Sequence, residues 1–110
     1  MSHNLTNKIK FKKKVQTWAE TIGVSPKQVY LQKMTRKWAS CSTTGRLVFS
    51  LDLLNEEKDF IEYAIIHELL HLMIPNHGKL FKSFLTSYIP NWRDISNGRV
   101  VCNLGFFDVK

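Results

Sequence analysis

His67-Glu68-Leu69-Leu70-His71, with His77 six positions further on, brings together the residue types of a hydrolytic metal site. Histidines at i and i+4 fall on one helical face, one turn apart, so both imidazoles can converge on one ion at about 2.0–2.1 Å. Glu68 follows the first histidine, about 100° round the helix. From there its carboxylate can flank the ion without binding it, which is where a general base for the attacking water must stand. Pro75-Asn76 then breaks the chain, so that His77 can return as a third ligand. Three protein ligands leave a fourth position open for water, which separates a catalytic zinc site from a closed structural one.

The element that must carry these groups runs FIEYAIIHELLHLMI from Phe60 to Ile74 and is apolar on nearly every side. That pattern predicts a buried central helix, in which His67, Glu68 and His71 would be costly without a shared partner such as a metal. Asn55 is placed to cap it, with Glu56 and Glu57 in its first turn, and Pro75 to end it. Upstream, Leu5, Ile9, Val15, Trp18, Ala19 and Ile22 recur at helical spacing and predict a helix over 5–22 that stops at Gly23. Short strands are expected over 27–34, 36–42 and 46–50, the last two joined by a turn at Thr44-Gly45. Leu80, Phe81, Phe84, Leu85 and Tyr88 predict another helix, stopped by Pro90. The tail from Arg99 to Val109 reads as a strand or an irregular cover. The expectation is one α+β domain over 1–110, a small antiparallel sheet packed on the buried HExxH helix with flanking helices.

No apolar run reaches the roughly 18 residues that a membrane span needs, and no apolar signal region follows the basic start, so an intracellular, cytoplasmic and monomeric protein is expected. Cys41 and Cys102 are too few for a disulfide framework. The net charge of +7 is concentrated in part at Lys8, Lys10, Lys12, Lys13 and Lys14. That run is either a solvated helix face or a phosphate-contacting patch for nucleic acid.

Two blocks of the chain resemble the YgjP-like metallopeptidases, relatives of the SprT-like proteases among the zincins. One is His67-Glu68-Leu69-Leu70-His71-Leu72, then His77-Gly78 and Phe81, running on to Pro90-Asn91-Trp92; the other is Arg36-Lys37-Trp38-Ala39-Ser40-Cys41-Ser42, similar to the family's R-x-W-G-S-C-S stretch. Together they span roughly residues 34–93. The resemblance implies a zinc-dependent endopeptidase in a minimal zincin-like form, with His67, His71 and His77 as ligands of one Zn²⁺, Glu68 as base, and polypeptide as substrate. Ala39 departs from the family by standing where it commonly has glycine. The chain restricts the zincin type by itself. No glutamate follows Glu68 and no methionine follows Met73, which leaves His77 as the third ligand, with Asp94 as runner-up.

Around this core, Tyr63, Tyr88 and Arg93 are candidates for a second oxyanion donor, Tyr63 being one turn before His67 on the same face. Arg36 and Trp38 are candidates for lining a cleft in which an extended peptide pairs with a strand edge of the 36–50 region. Cys41 could occupy the open metal position and hold the enzyme latent, or be a small buried hydrophobe. Two other classes share the motif. One is a hydrolase of a small phosphate-containing molecule. The other is a non-catalytic metal-stabilised domain that binds nucleic acid or protein.

Overall fold

The computed structural model describes residues 2–99 and 101, with side chains from residue 6 onward. Helix α1 (Ser2–Ile22) leads into a three-stranded sheet of β1 (Gln28–Gln32), β2 (Ala39–Cys41) and β3 (Arg46–Ser50). A short 3₁₀ segment, Leu51–Asn55, connects to the motif helix α2 (Lys58–Leu70), and α3 (Lys79–Tyr88) and α4 (Trp92–Ser96) follow. The expected α+β order is present. The expected tail element over 100–109, Val101 apart, lies outside the described residues, as does Cys102.

α1 buries Phe11, Val15 and Ala19, a stripe at four-residue spacing, with Trp18 and Ile22 at its margin. Ile9, expected on that face, is exposed, because Phe11 takes the inward direction and meets Phe49 of β3 edge-on at 5.0 Å. Gly23 ends the helix at φ 91°, and its N–H and that of Val24 both donate to the Ala19 carbonyl. Only glycine adopts that left-handed conformation without a Cβ penalty.

The sheet is mixed rather than wholly antiparallel. β3 lies in the middle, antiparallel to β2 but parallel to β1, with Gln28 opposite Arg46 and Gln32 opposite Ser50. The chain leaves β1, passes over to the far edge as β2, and returns through a tight turn into the central position. Two reversals of direction leave the first and third strands pointing the same way. The in–out alternation of Val29 and Leu31 is identical for either order, so it does not encode this.

α2 starts later than expected. Its N-cap is Glu57, which makes no side-chain cap, while Asn55 belongs to the preceding 3₁₀ segment. Leu53 is fully buried and pulls that segment onto the core, and Ser50 caps it by accepting from the Asp52 N–H at 3.2 Å. Nine residues of α2, from Phe60 to Leu70, are buried, which fits a helix apolar on every side. It is flanked by α1, α3, α4 and β2. None of the described helices is long and apolar enough to cross a membrane.

Candidate metal centre

The end of α2 sets the geometry of the centre. The helix stops at Leu70, not at Pro75, and the turn after it tightens: His71, Leu72 and Met73 donate to the carbonyls of Glu68, Leu69 and Leu70, three residues back. His71 keeps a helical backbone at this C-cap, so the i, i+4 relation to His67 survives. Ile74 precedes Pro75, whose ring disfavours a helical conformation at the residue before it. The Ile74 carbonyl is thereby turned inward, where it accepts from His71 Nδ1 at 3.0 Å. A proton held on Nδ1 leaves Nε2 as the lone-pair nitrogen, the arrangement that suits a metal ligand.

His77 stands in the loop just before α3, with its Nε2 2.8 Å from His71 Nε2. One potential ligand nitrogen from each of His67, His71 and His77 lies within 4.8 Å of the others. Three imidazoles converging through nitrogen, two of them nearly excluded from solvent, are a donor set that fits a borderline-soft divalent ion. Glu68 is fully buried beside them, its Oε2 3.2 Å from His67 Nδ1. Burial first, and the neighbouring His67 second, push the His71 pKa from 6.5 down to about 4, so this imidazole is neutral at pH 7.

That shift has a consequence for stability. A histidine whose folded pKa lies below its unfolded value takes up its proton only on unfolding. Stability of the metal-free chain is therefore highest above about pH 6.5, falls as the pH drops towards about 4, and levels off below that as far as His71 is concerned. The expected loss is up to about 3 kcal/mol. Urea unfolding of chelator-treated protein between pH 7 and 4.5 checks this, and the slope should flatten in His71→Asn.

Phe81, part of the motif block but not among the expected site residues, belongs to the centre. From the first turn of α3 it lies stacked on His71 at 4.7 Å and edge-on to His67 and His77 at 5.1 and 4.9 Å. It is the common floor of all three rings. Its position four residues after His77 was a signal that only gains meaning once α3 is seen to pack under α2.

The remaining candidates separate. Tyr63 is buried and edge-on to His67 at 5.7 Å, and Trp92 of α4 lies parallel to it at 6.4 Å. Tyr88 instead packs on Trp18 of α1. Arg93 is exposed and lies over Trp92, and Asp94 is exposed on α4, outside the histidine cluster. Trp38 is edge-on to Phe60 at 5.2 Å, and Arg36 is exposed beside it in a hollow shared with Ser50 and Asp52. Cys41 shares a cavity wall with His71 but lies outside the group of converging ligand atoms. Burial, then the charge of Glu68, push its thiol up to about 12, so it is protonated rather than thiolate. On α1, Lys10, Lys12 and Lys13 are exposed, while Lys14 is tied to Glu62 at 3.6 Å.

The backbone of the later chain also reaches the sheet. In the β2–β3 register Ala39 and Cys41 direct their peptide groups away from β3. The Val101 carbonyl accepts there from the N–H groups of Trp38 and Ala39, at 2.8 and 3.0 Å. Arg99 anchors this segment through Glu56 at 2.8 Å and the face of Phe60 at 3.6 Å.

No curated protein matches the chain by sequence. Among solved structures, the crystal structure of the metallopeptidase zymogen of Pyrococcus abyssi abylysin is similar to it in fold, with a TM-score of 0.70 and 22% identity over 79% of this chain and 89% of that one. The YgjP-like metallopeptidase domain model matches residues 4–98, which takes in α2, the three histidines and the whole sheet. With that match over most of its length, the chain belongs to the YgjP-like metallopeptidase family and is a metal-dependent peptidase acting on polypeptide.

Proposed function

We propose that the protein is a zinc-dependent endopeptidase in which His67, His71 and His77 hold the ion and Glu68 is the general base. The observation that carries this reading is the convergence of three imidazole nitrogens within 4.8 Å, with a fully buried carboxylate beside them. A structural zinc site has no use for such a carboxylate. When bound, zinc supplies Lewis acidity towards the scissile carbonyl and acidifies the attacking water.

The chain's own residues do the rest. The Ile74 carbonyl holds the His71 proton on Nδ1 and so keeps Nε2 turned towards the centre. Phe81 fixes the three ring planes from below. Glu68 takes the proton of the water on a carboxylate oxygen and returns it to the leaving amine. Tyr63, held by Trp92 and touching His67, is the group nearest to hand as a second oxyanion donor.

The test is hydrolysis of an unfolded protein such as reduced casein. Activity should vanish after chelation and return on addition of about one equivalent of zinc per chain. Persistence of cleavage after complete metal removal would sink the reading. A supporting role for the exposed lysines of α1 in recruiting nucleic acid is a separate part of the proposal. It calls for DNA binding at low salt that weakens steeply as salt is raised.

A further inference from the structure

Beside the centre lies a cavity of about 860 Å³ with His71 in its wall. One side is formed by the turn between β2 and β3, the other by Leu72, Met73 and Pro75 after the motif helix. The two sides differ in chemistry. The turn presents the hydroxyl-bearing Ser42, Thr43 and Thr44, and Ser25 adds a fourth hydroxyl from the stretch before β1. Leu72, Met73 and Pro75 make the other part of the lining apolar, with Met73 exposed. Lys27 contributes the cation of this lining, no carboxylate is part of it, and Lys27 makes no ion pair among the described residues.

Lys27 is also held in place. Its backbone N–H donates to the Gly45 carbonyl at 2.8 Å, which ties the start of β1 to the turn. Its side-chain stem lies across Gly45, where a Cβ would come within 3.2 Å of Lys27 Cγ. Gly45 has φ 94°, so the turn favours glycine for its backbone, and a Cβ there would also push the lysine stem aside by a few tenths of an ångström. Ser42 Oγ accepts from the Arg46 N–H and is 2.9 Å from Thr44 Oγ1, which makes the hydroxyl side of the cavity a defined surface. The backbone of Lys27 and the first carbons of its stem are thus set beside the turn, and its exposed side chain lines the cavity.

We propose that this cavity is a substrate subsite beside the metal and that it selects a carboxylate, through Lys27 and the hydroxyls of the β2–β3 turn. The apolar wall at Leu72 and Met73 receives the methylenes of the same residue. The carboxylate comes from a glutamate side chain or from the end of a polypeptide. The proposal rests on the reading of the centre as a peptidase site and names the class of residue that site prefers.

The test uses zinc-loaded protein carrying Glu68→Gln, which holds substrate without turning it over, and end-blocked octapeptides in which one Glu, Gln or Lys is moved through every position. Binding is followed by fluorescence anisotropy. The expected result is that one position favours Glu over Gln by about fivefold at low salt, with Lys disfavoured there. Adding Lys27→Glu should reverse that order. A free-acid peptide series distinguishes the terminal carboxylate from the side chain. If it alone shows the gain, the terminus is the ligand. Equal binding of Glu and Gln peptides at every position in both series overturns the proposal, as does a preference that survives Lys27→Glu, and so does an absence of all peptide binding. The two readings fail separately. Wild-type protein that cleaves peptides without any acidic preference keeps the peptidase reading and removes this one. Charge-selective binding with no cleavage by wild type does the reverse.

Discussion

Glu68→Gln is expected to lower peptide hydrolysis by about a thousandfold while leaving the fold and the zinc content as they are. The carboxylate is fully buried beside the three imidazoles, and its Oε2 meets His67 Nδ1 at 3.2 Å. Glutamine has the same shape and offers an amide oxygen to that nitrogen, so packing is kept. What is lost is the ability to take a proton from water. Removing a buried negative charge also relieves its desolvation, so the variant should be at least as stable as the wild type. The check is kcat/KM with zinc content and far-ultraviolet circular dichroism on the same preparations. Activity within tenfold of wild type, with metal bound, would mean that another group is the base.

His77→Ala is expected to weaken zinc binding more than a hundredfold, since even residues that only orient a ligand are worth ten- to a hundredfold. His77 is half-buried in a loop, so the substitution leaves α2 and its neighbours standing. Zinc raises the unfolding temperature of any protein that binds it only when folded. That rise should be present in wild type and nearly absent in His77→Ala, with the metal-free melting of the two close together. Asp94→Ala provides the contrast. Asp94 is exposed and outside the converging group, so its loss should leave the zinc effect unchanged. A zinc response that survives His77→Ala and disappears with Asp94→Ala would exchange their roles.

The convergence of the three imidazoles was legible in the sequence because it depends on residue type at fixed helical spacing. His67, Glu68 and His71 need only a helix to meet, and the apolar run around them demanded one. His77 was legible because Pro75-Asn76 had to turn the chain back. What lies between elements was not legible. Asn55 has the right side chain for a cap, but burial of Leu53 decided where the helix begins. Strand order depends on which edge the chain crosses to, and the alternation of Val29 and Leu31 carries no information on that. Tyr88 and Tyr63 look alike at helical spacing, yet one packs on Trp18 and the other on His67. Those outcomes depend on how helices pack together, through Phe81 and Trp92, rather than on any local pattern.

The two hydrogen bonds from Trp38 and Ala39 to the Val101 carbonyl cover the start of the sheet's β2 edge. An open border of that kind would accept any extended chain, whether a peptide on its way to the centre or the same strand of a neighbouring molecule. Here the protein's own later segment holds the place, fastened through Arg99 to Glu56 and Phe60. At Trp38 and Ala39 the place of an added strand is thus taken by the chain itself, so loosening this pair of bonds would expose two strand-edge N–H groups to any extended segment.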